Sequence, residues 1–254
     1  MSEYAFAGDK PERLAGIEAT WDPGTIFRLE AVGIAPGWRC LEAGAGGGSI
    51  AVWLATRVGP TGHVIATDVE TALLEPLVGD NLEVLNHDLL TDELPDRAFD
   101  LVHARLLLEW LGDGDALQRL VAAIAPGGWL LVEDFDWALG GPADDAAPLR
   151  KAYEAILGLL ESVGYQRHYG RSLLTRLKQA GLTEVGNDAR AYVLDGGSPG
   201  TAFERFSFHA QRDRLIASQA LSETEVDEAM RELSDPARHI MTPAMFAAWG
   251  RRPN

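Results

Sequence analysis

A chain of 254 residues, 46% hydrophobic and 24% charged, has an ordinary globular composition and enough length for one large domain or a domain with a cap. Its 38 acidic side chains against 22 basic ones give a net charge of −16, which excludes a non-specific grip on nucleic-acid phosphates because no cationic excess is available to release counterions. The single cysteine, Cys40, excludes a disulfide framework and a cysteine-based metal site; with no basic leader and no apolar run of about 18 residues, the expectation is a cytoplasmic protein without a membrane segment.

The first ten residues are polar apart from Tyr4 and Phe6. Pro11 opens a helix expected to reach about Thr20, and Asp22-Pro23 offers an N-cap with proline at the first helical position of a second helix. Trp38, Cys40 and Leu41 then form a short apolar strand ending at a carboxylate, Glu42, followed by Gly44, Gly46, Gly47 and Gly48 and a helical pattern through Val58. Backbone without Cβ can take positive φ and lie against a ligand, and a helix start points unpaired N–H groups at it. A nucleotide-like ligand is the expected occupant. A dinucleotide fingerprint counted from Gly44 would need a third glycine where Ser49 stands, whereas acid-x-G-x-G-x-G fits from Glu42 through Gly48.

His63 to Thr67 has the β-branched composition of a second strand, with Asp68 at its carboxyl end, where doubly wound sheets place an acid against ribose hydroxyls. A helix is expected around Thr71 to Leu77 and a third strand over Leu82 to Leu85, leading to His87, Asp88 and Leu89. Phe99 to Leu111 reads as a fourth strand passing into a loop and helix, and a further helix covers about Gly114 to Ile124. Pro126-Gly-Gly precedes a fifth strand that ends in Asp134-Phe-Asp-Trp137. Pro142 to Pro148 reads as a linker, Leu149 to Val163 as an amphipathic helix, Val185 to Leu194 as a sixth strand and Gly196 to Leu233 as a turn and helices, with a last strand near Met245 to Arg252.

This series of signals resembles the class I S-adenosylmethionine (SAM)-dependent methyltransferases over roughly Trp38 to Asp136: the Glu42-to-Gly48 motif, Asp68, Asp88-Leu89, Phe99-Asp100 and Ile124-Ala-Pro-Gly-Gly-Trp-Leu130. In style it is similar to actinobacterial methyltransferases of secondary metabolism. The resemblance implies a Rossmann-like, doubly wound α/β fold with a mostly parallel seven-stranded sheet whose last strand is antiparallel, N-terminal helices and a helical cap insertion. It implies a helical lid over residues 1–36, a SAM-binding core over 37–141, and the rest of the sheet with substrate-cap helices over 142–254. The cofactor-binding residues it implies are Glu42, Gly44, Ala45, Gly46, Gly48, Asp68, Val69, Asp88, Leu89, Ala104 and Arg105. No metal is required.

Methyl transfer is an in-line displacement driven by the cofactor, so the protein must align the acceptor and exclude water. A hydroxyl acceptor would gain from a general base, and histidine titrates near working pH. His168, in the loop between Tyr165 and Tyr169, is the first candidate, His209 the second, and Asp136 and Asp134 compete; His87 and His103 flank the cofactor side, where His103 could equally be a core residue. Tyr4, Phe6, Trp137, Tyr165, Tyr169, Phe206 and Phe208 could wall an apolar pocket, which with the acidic charge favours a small organic substrate, with no nucleic-acid partner and homodimerisation open. Two alternatives stand beside methyl transfer to O, N or C: a SAM-binding protein that does not methylate, serving as a binding module or cyclisation catalyst, and an NAD(P)-dependent oxidoreductase.

Overall fold

Short apolar runs alternating with helical patterns require a parallel sheet covered on both faces, and the computed structural model has that architecture. It describes residue 6 and residues 11–112, 114–144 and 146–254; Tyr4 lies outside the described residues. The main sheet holds β1 (Arg39–Ala43), β2 (His63–Asp68), β3 (Leu82–Asn86), β4 (Phe99–Arg105), β5 (Ile124–Asp136), β7 (Thr183–Arg190) and β10 (Ala244–Arg251) in the order β3-β2-β1-β4-β5-β10-β7. β10 is antiparallel to both β5 and β7, as expected of the last strand, and the strands before it from β3 to β5 are parallel.

The two-residue period of the strands sorts the core. Leu41, Ala43, Val102, Ala104, Leu130 and Val132 pack with α3 (Leu108–Leu111), α4 (Ala116–Ala123) and α6 (Leu173–Gln179) on one face. Cys40, Val64, Ala66, Leu101 and Leu131 pack with α1 (Pro11–Val32) and α2 (Ser49–Val58) on the other. A cap of α5 (Ala147–Glu161), α7 (Ala202–Ala217) and α8 (Glu223–Ser234) sits beyond the carboxyl ends of the strands with a core of its own. Beside it lies a small sheet of β6 (Gly141–Pro142), β9 (His239–Met241) and β8 (Val193–Asp195). Ile17, Trp21, Phe135, Phe203 and Met245 join cap to sheet.

Several local expectations differ from the structure. The two N-terminal helices are one: α1 runs through Pro23. An interior proline costs about 3 kcal/mol, but here its ring and Ala19, whose carbonyl loses the N–H partner, are on the exposed side of the helix. Arg13, Ile17, Trp21, Thr25 and Leu29 form a continuous buried stripe that holds the helix together across it. The helix expected over Thr71 to Leu77 shrinks to a 3-10 turn, Glu75–Leu77, because Pro76 has no N–H to donate and disfavours helical backbone before it. The expected linker at Pro142 to Pro148 is ordered, since Gly141–Pro142 pairs with β9 and Pro148 lies in the first turn of α5. The expected strand Val185 to Leu194 divides between the main sheet and the small one.

α1 ties the glycine turn to the cap. Leu14 and Glu18 lie beside Gly46 and Gly47, and Gly16 lets the backbone of α7 approach so closely that an added Cβ would stand 2.5 Å from the Phe203 nitrogen. Gly16→Ala is therefore expected to destabilise the protein by about 1–3 kcal/mol in urea unfolding, even though alanine is the better helix former. An unchanged or raised midpoint would show that α1 does not seat on α7.

Candidate active site

At the end of β1 the chain turns through Gly44, Gly46 and Gly48 with φ of +69°, +55° and +85°, the left-handed region that side chains with a Cβ resist. Gly44 and Ala45 donate their N–H groups to the Thr67 carbonyl at 2.8 and 3.0 Å, which lays the turn across the end of β2. The Glu18 carboxylate stands where a Gly47 side chain would begin, and Leu74 and Leu77 crowd the same space at Gly48. Asp68 is locked beside the turn: one carboxylate oxygen accepts from Gly46 N–H at 2.9 Å and the other from Glu70 N–H at 3.1 Å.

A cavity of about 700 Å³ begins here and continues beneath the cap. Of the expected cofactor residues, Glu42, Gly44, Ala45, Gly46, Asp68, Val69, Asp88, Leu89 and Arg105 line it. Gly48 and Ala104 do not line it: Gly48 starts α2 behind the turn and Ala104 is buried within β4. Ala104 and Arg105 also belong to β4 itself rather than to a loop after it. His87 lines the same end, nearly buried, with no hydrogen-bond partner at either ring nitrogen among the described residues. The Glu42 carboxylate, Asp68 and the apolar Val69 and Leu89 along one cavity are a set of charged, polar and apolar groups that an adenosyl ligand with a charged amino-acid tail can use. The residues present therefore fit SAM.

The three proposed catalytic side chains are not in this cavity. Asp136 is buried at the end of β5, where Arg171 and, at 3.0 Å, His168 pair with it and, against the effect of burial, hold its carboxyl below the usual range. His168 is thus engaged at the outer surface, and His209 is exposed on α7. Among the expected aromatics, Phe6, Trp137, Tyr165 and Phe208 line the cavity, whereas Tyr169 belongs to the core of the main sheet and Phe206 is off the lining. Adjacency in sequence to a loop cannot reveal such a partner: Asp136 and Arg171 meet only because the loop after α5 folds back on the strand end.

Beneath the glycine turn runs a string of buried charges. The Glu42 carboxylate meets His103 Nδ1 at 2.6 Å, His103 Nε2 lies 3.4 Å from Glu133, and Arg190 donates to Glu133 at 2.6 Å. Thr25 of α1 donates to Glu133, and Arg105 reaches both Thr25, at 3.0 Å, and Asp22, at 2.8 Å. Burial opposes the charge on His103, but Glu42 and Glu133 on either side raise its pKa to about 9. Burial likewise opposes ionisation of Glu133, yet His103 and Arg190 lower it to about 2. Glu42 is thus a cavity-lining carboxylate braced from behind by an imidazolium. That bracing is the role the sequence left open for His103.

Two residues that sequence reasoning missed, Glu109 and Glu204, lie toward the cap, and Asp134, one of the candidate bases, is buried against Glu109 off the cavity lining. Burial raises Glu109 to about 8 although it accepts from Phe135 N–H at 2.9 Å and bonds Tyr165, whose hydroxyl accepts from Trp137 Nε1 at 2.7 Å. Asp134, which takes the Glu109 N–H at 3.2 Å, is pushed up by burial and by Glu109. Burial raises Glu204 to about 7. The available signal was an acid set within an apolar helical run, Leu106 to Leu111 for Glu109 and Ala202 to Phe206 for Glu204.

Known proteins carry the same features. A family model described as a methyltransferase domain matches residues 5–186. Methyltransferase str2 of Strobilurus tenacellus is 36% identical over 152 residues, 58% of this chain, and the match spans about half of that relative's length, 54%. The ubiquinone/menaquinone biosynthesis C-methyltransferase UbiE of Ectopseudomonas mendocina (strain ymp) is 32% identical over 209 residues, 75% of each chain. The solved structure of Haemonchus contortus phosphoethanolamine N-methyltransferase 2 in complex with S-adenosyl-L-methionine shares the fold, with a TM-score of 0.57 at 16% identity, covering 92% of this chain and 53% of that one. Glycine turn, acid at the end of β2 and antiparallel last strand thus have their explanation: the chain belongs to the class I SAM-dependent methyltransferases. SAM is the cofactor of that family, which sets aside the nicotinamide alternative.

Removing the imidazole from the charge string leaves Glu42 without its buried partner and Glu133 with Arg190 and Thr25 alone. His103→Leu is expected to cost about 3–5 kcal/mol in urea unfolding, and a loss below about 1 kcal/mol would show that the string is not electrostatically coupled. The pH dependence follows from the same groups. Glu133, titrating at about 2 rather than 4.5, contributes stability that is present above pH 4.5 and lost as pH falls toward 2. His103, at about 9 rather than 6.5, contributes stability that is present below pH 6.5 and lost as pH rises through 9. Glu109 and Glu204, raised from 4.5 to about 8 and about 7, act in the second direction, because the folded state keeps their protons longer. Thermal midpoints should therefore be highest near pH 4.5, fall gradually from there as Glu109 and Glu204 act and more steeply above pH 6.5 as His103 joins them, with the fall reduced in Glu109→Gln; a profile flat to pH 9 contradicts this.

Proposed function

We propose that the chain binds SAM along the glycine turn and directs its methyl group to an O, N or C atom of a small, planar, largely apolar molecule held beneath the cap. The observation that carries this reading is the continuity of one cavity from Glu42 and Asp68 to a chamber of aromatic side chains, including Trp110, Trp137, Tyr165 and Phe208. When bound, the cofactor supplies an electrophilic methyl carbon on a sulfonium. The chain's own contribution is to bind, orient and exclude water.

Glu42 is placed for the charged amino end of the cofactor, since its carboxylate is fixed by His103 at 2.6 Å and lines the cavity. Asp68 is placed for the ribose hydroxyls, and Val69 and Leu89 for the faces of the adenine. α1 closes the cavity from above with Leu14, Ile17 and Glu18. The name of one relative, a C-methyltransferase of ubiquinone/menaquinone biosynthesis, supports a small planar acceptor for this chain. His168, His209 and Asp136, which lie off the cavity, are proposed to serve the surface and the strand end rather than the reaction.

Calorimetric titration tests the cofactor half of this reading. SAM and S-adenosylhomocysteine should bind, NAD should not, and Asp68→Ala should weaken both adenosyl ligands by about 1–3 kcal/mol through loss of a charge-assisted hydrogen bond. Incorporation of labelled methyl across a panel of phenols, indoles, amines and quinols tests the second half. Binding of NAD in preference to either adenosyl ligand would overturn the assignment of the site.

A further inference from the structure

The far end of the cavity holds polar groups that a methyl donor on the glycine turn does not use. Tyr153 on α5 and Glu204 on α7 both line it, each 3% exposed. Among the described residues, neither the Tyr153 hydroxyl nor one Glu204 carboxylate oxygen has a hydrogen-bond partner. The two come from different helices of the cap, and the Glu204 charge bears directly on the Tyr153 phenol. Their surroundings are apolar: the Phe208 ring stands edge-on to Tyr153 at 5.5 Å and Trp137 lies 6.1 Å from it. Arg13 donates to Ser207 at 2.9 Å with its guanidinium over the Phe6 ring, and its charge, with that of Arg205, favours the ionised form of Glu204 against burial.

A buried hydroxyl and a buried carboxyl left without partners are costly, and native proteins rarely keep two in one apolar chamber unless something completes them. The cap core could have been finished with phenylalanine and leucine at these positions, as at Phe208 and Leu157 beside them. Their chemistry limits what can complete them. Ionised Glu204 accepts a hydrogen bond, and Tyr153 can donate one. A carboxylate would bring like charge against Glu204, an ether has nothing to donate to it, and a hydrocarbon satisfies neither. One hydroxyl group offers a proton to Glu204 and a lone pair to Tyr153 through a single atom.

We infer that Glu204 and Tyr153 form a hydroxyl-recognition site, so that the acceptor is a planar apolar molecule carrying a phenol-type O–H at the end buried beneath the cap. This inference rests on the methyltransferase reading above and adds to it the polar end of the substrate. The hydroxyl is bound between the carboxylate of α7 and the phenol of α5, while the apolar body extends past Trp137 toward the glycine turn.

Equilibrium dialysis against protein saturated with labelled S-adenosylhomocysteine tests it, with 2-naphthol, 2-methoxynaphthalene, naphthalene and 2-naphthoate as probes. Retention of the label reports the cofactor site independently, so a failed methyltransferase reading appears as loss of the label and a failed hydroxyl site does not. The expected result is that 2-naphthol binds at least about ten-fold more tightly than the other three. In the near-isosteric variants Glu204→Gln and Tyr153→Phe that preference should drop several-fold while the label is still held. Equal binding of the four probes, no binding of 2-naphthol to labelled protein, or a preference that survives in both variants would overturn it.

Discussion

Everything in this site depends on holding a buried carboxylate in one place at the end of β1. Glu42 achieves it through His103, and His103 through Glu133, which is held in turn by Arg190 and Thr25. Four strands and one helix each contribute a member. Charges so deeply buried are tolerated only as complete pairs, which makes the string a constraint on register: a one-residue slip of β4 would carry His103 to the opposite face and leave Glu42 without its partner. Glu42 pairs directly across the sheet with His103, and Glu133 with Arg105, so the observed register is the one that closes the circuit.

α1 extends the same constraint to the substrate side. Its C-terminal half supplies Thr25 and Asp22 to the charge string, and its N-terminal half puts Leu14 and Glu18 over the glycine turn and Gly16 against α7. A buried stripe repeating every four residues drifts around a helix of 3.6 residues per turn, which is why one straight element can face the sheet at one end and the cap at the other. Methyl donor and acceptor compartments are therefore braced by a single helix, and the predicted stability loss from Gly16→Ala would reach both.

How much of this was readable in the sequence follows from contact range. The glycine turn and Asp68 lie within consecutive β-α-β units, so local periodicity and spacing sufficed to place them around one space, whereas the Asp88-Leu89 pair came from the family resemblance. The antiparallel position of β10 came from the family resemblance rather than from its own residues. The single α1 helix was hidden because Pro23 reads as a helix start, and only the burial of Trp21, Thr25 and Leu29 overrides it. Contacts between distant segments were not legible: Arg190 meeting Glu133, Arg171 meeting Asp136, and Tyr153 facing the same chamber as Glu204 depend on where the cap and the last strands dock. Hence most of the residues expected on the cofactor side line the cavity, while His168 and His209, chosen for their chemistry alone, stand outside it.

The central claim is that one cavity presents the methyl-bearing sulfur of a cofactor on the glycine turn to the chamber beneath the cap. A crystal structure of the complex with S-adenosylhomocysteine tests it most directly. The account predicts the amino-acid end of the ligand beside Glu42, the ribose against Asp68, the adenine by Leu89, and the sulfur open toward Glu109 and Trp110. Density for the ligand on another face, or a sulfur walled off from Trp137 and Tyr153, would contradict it.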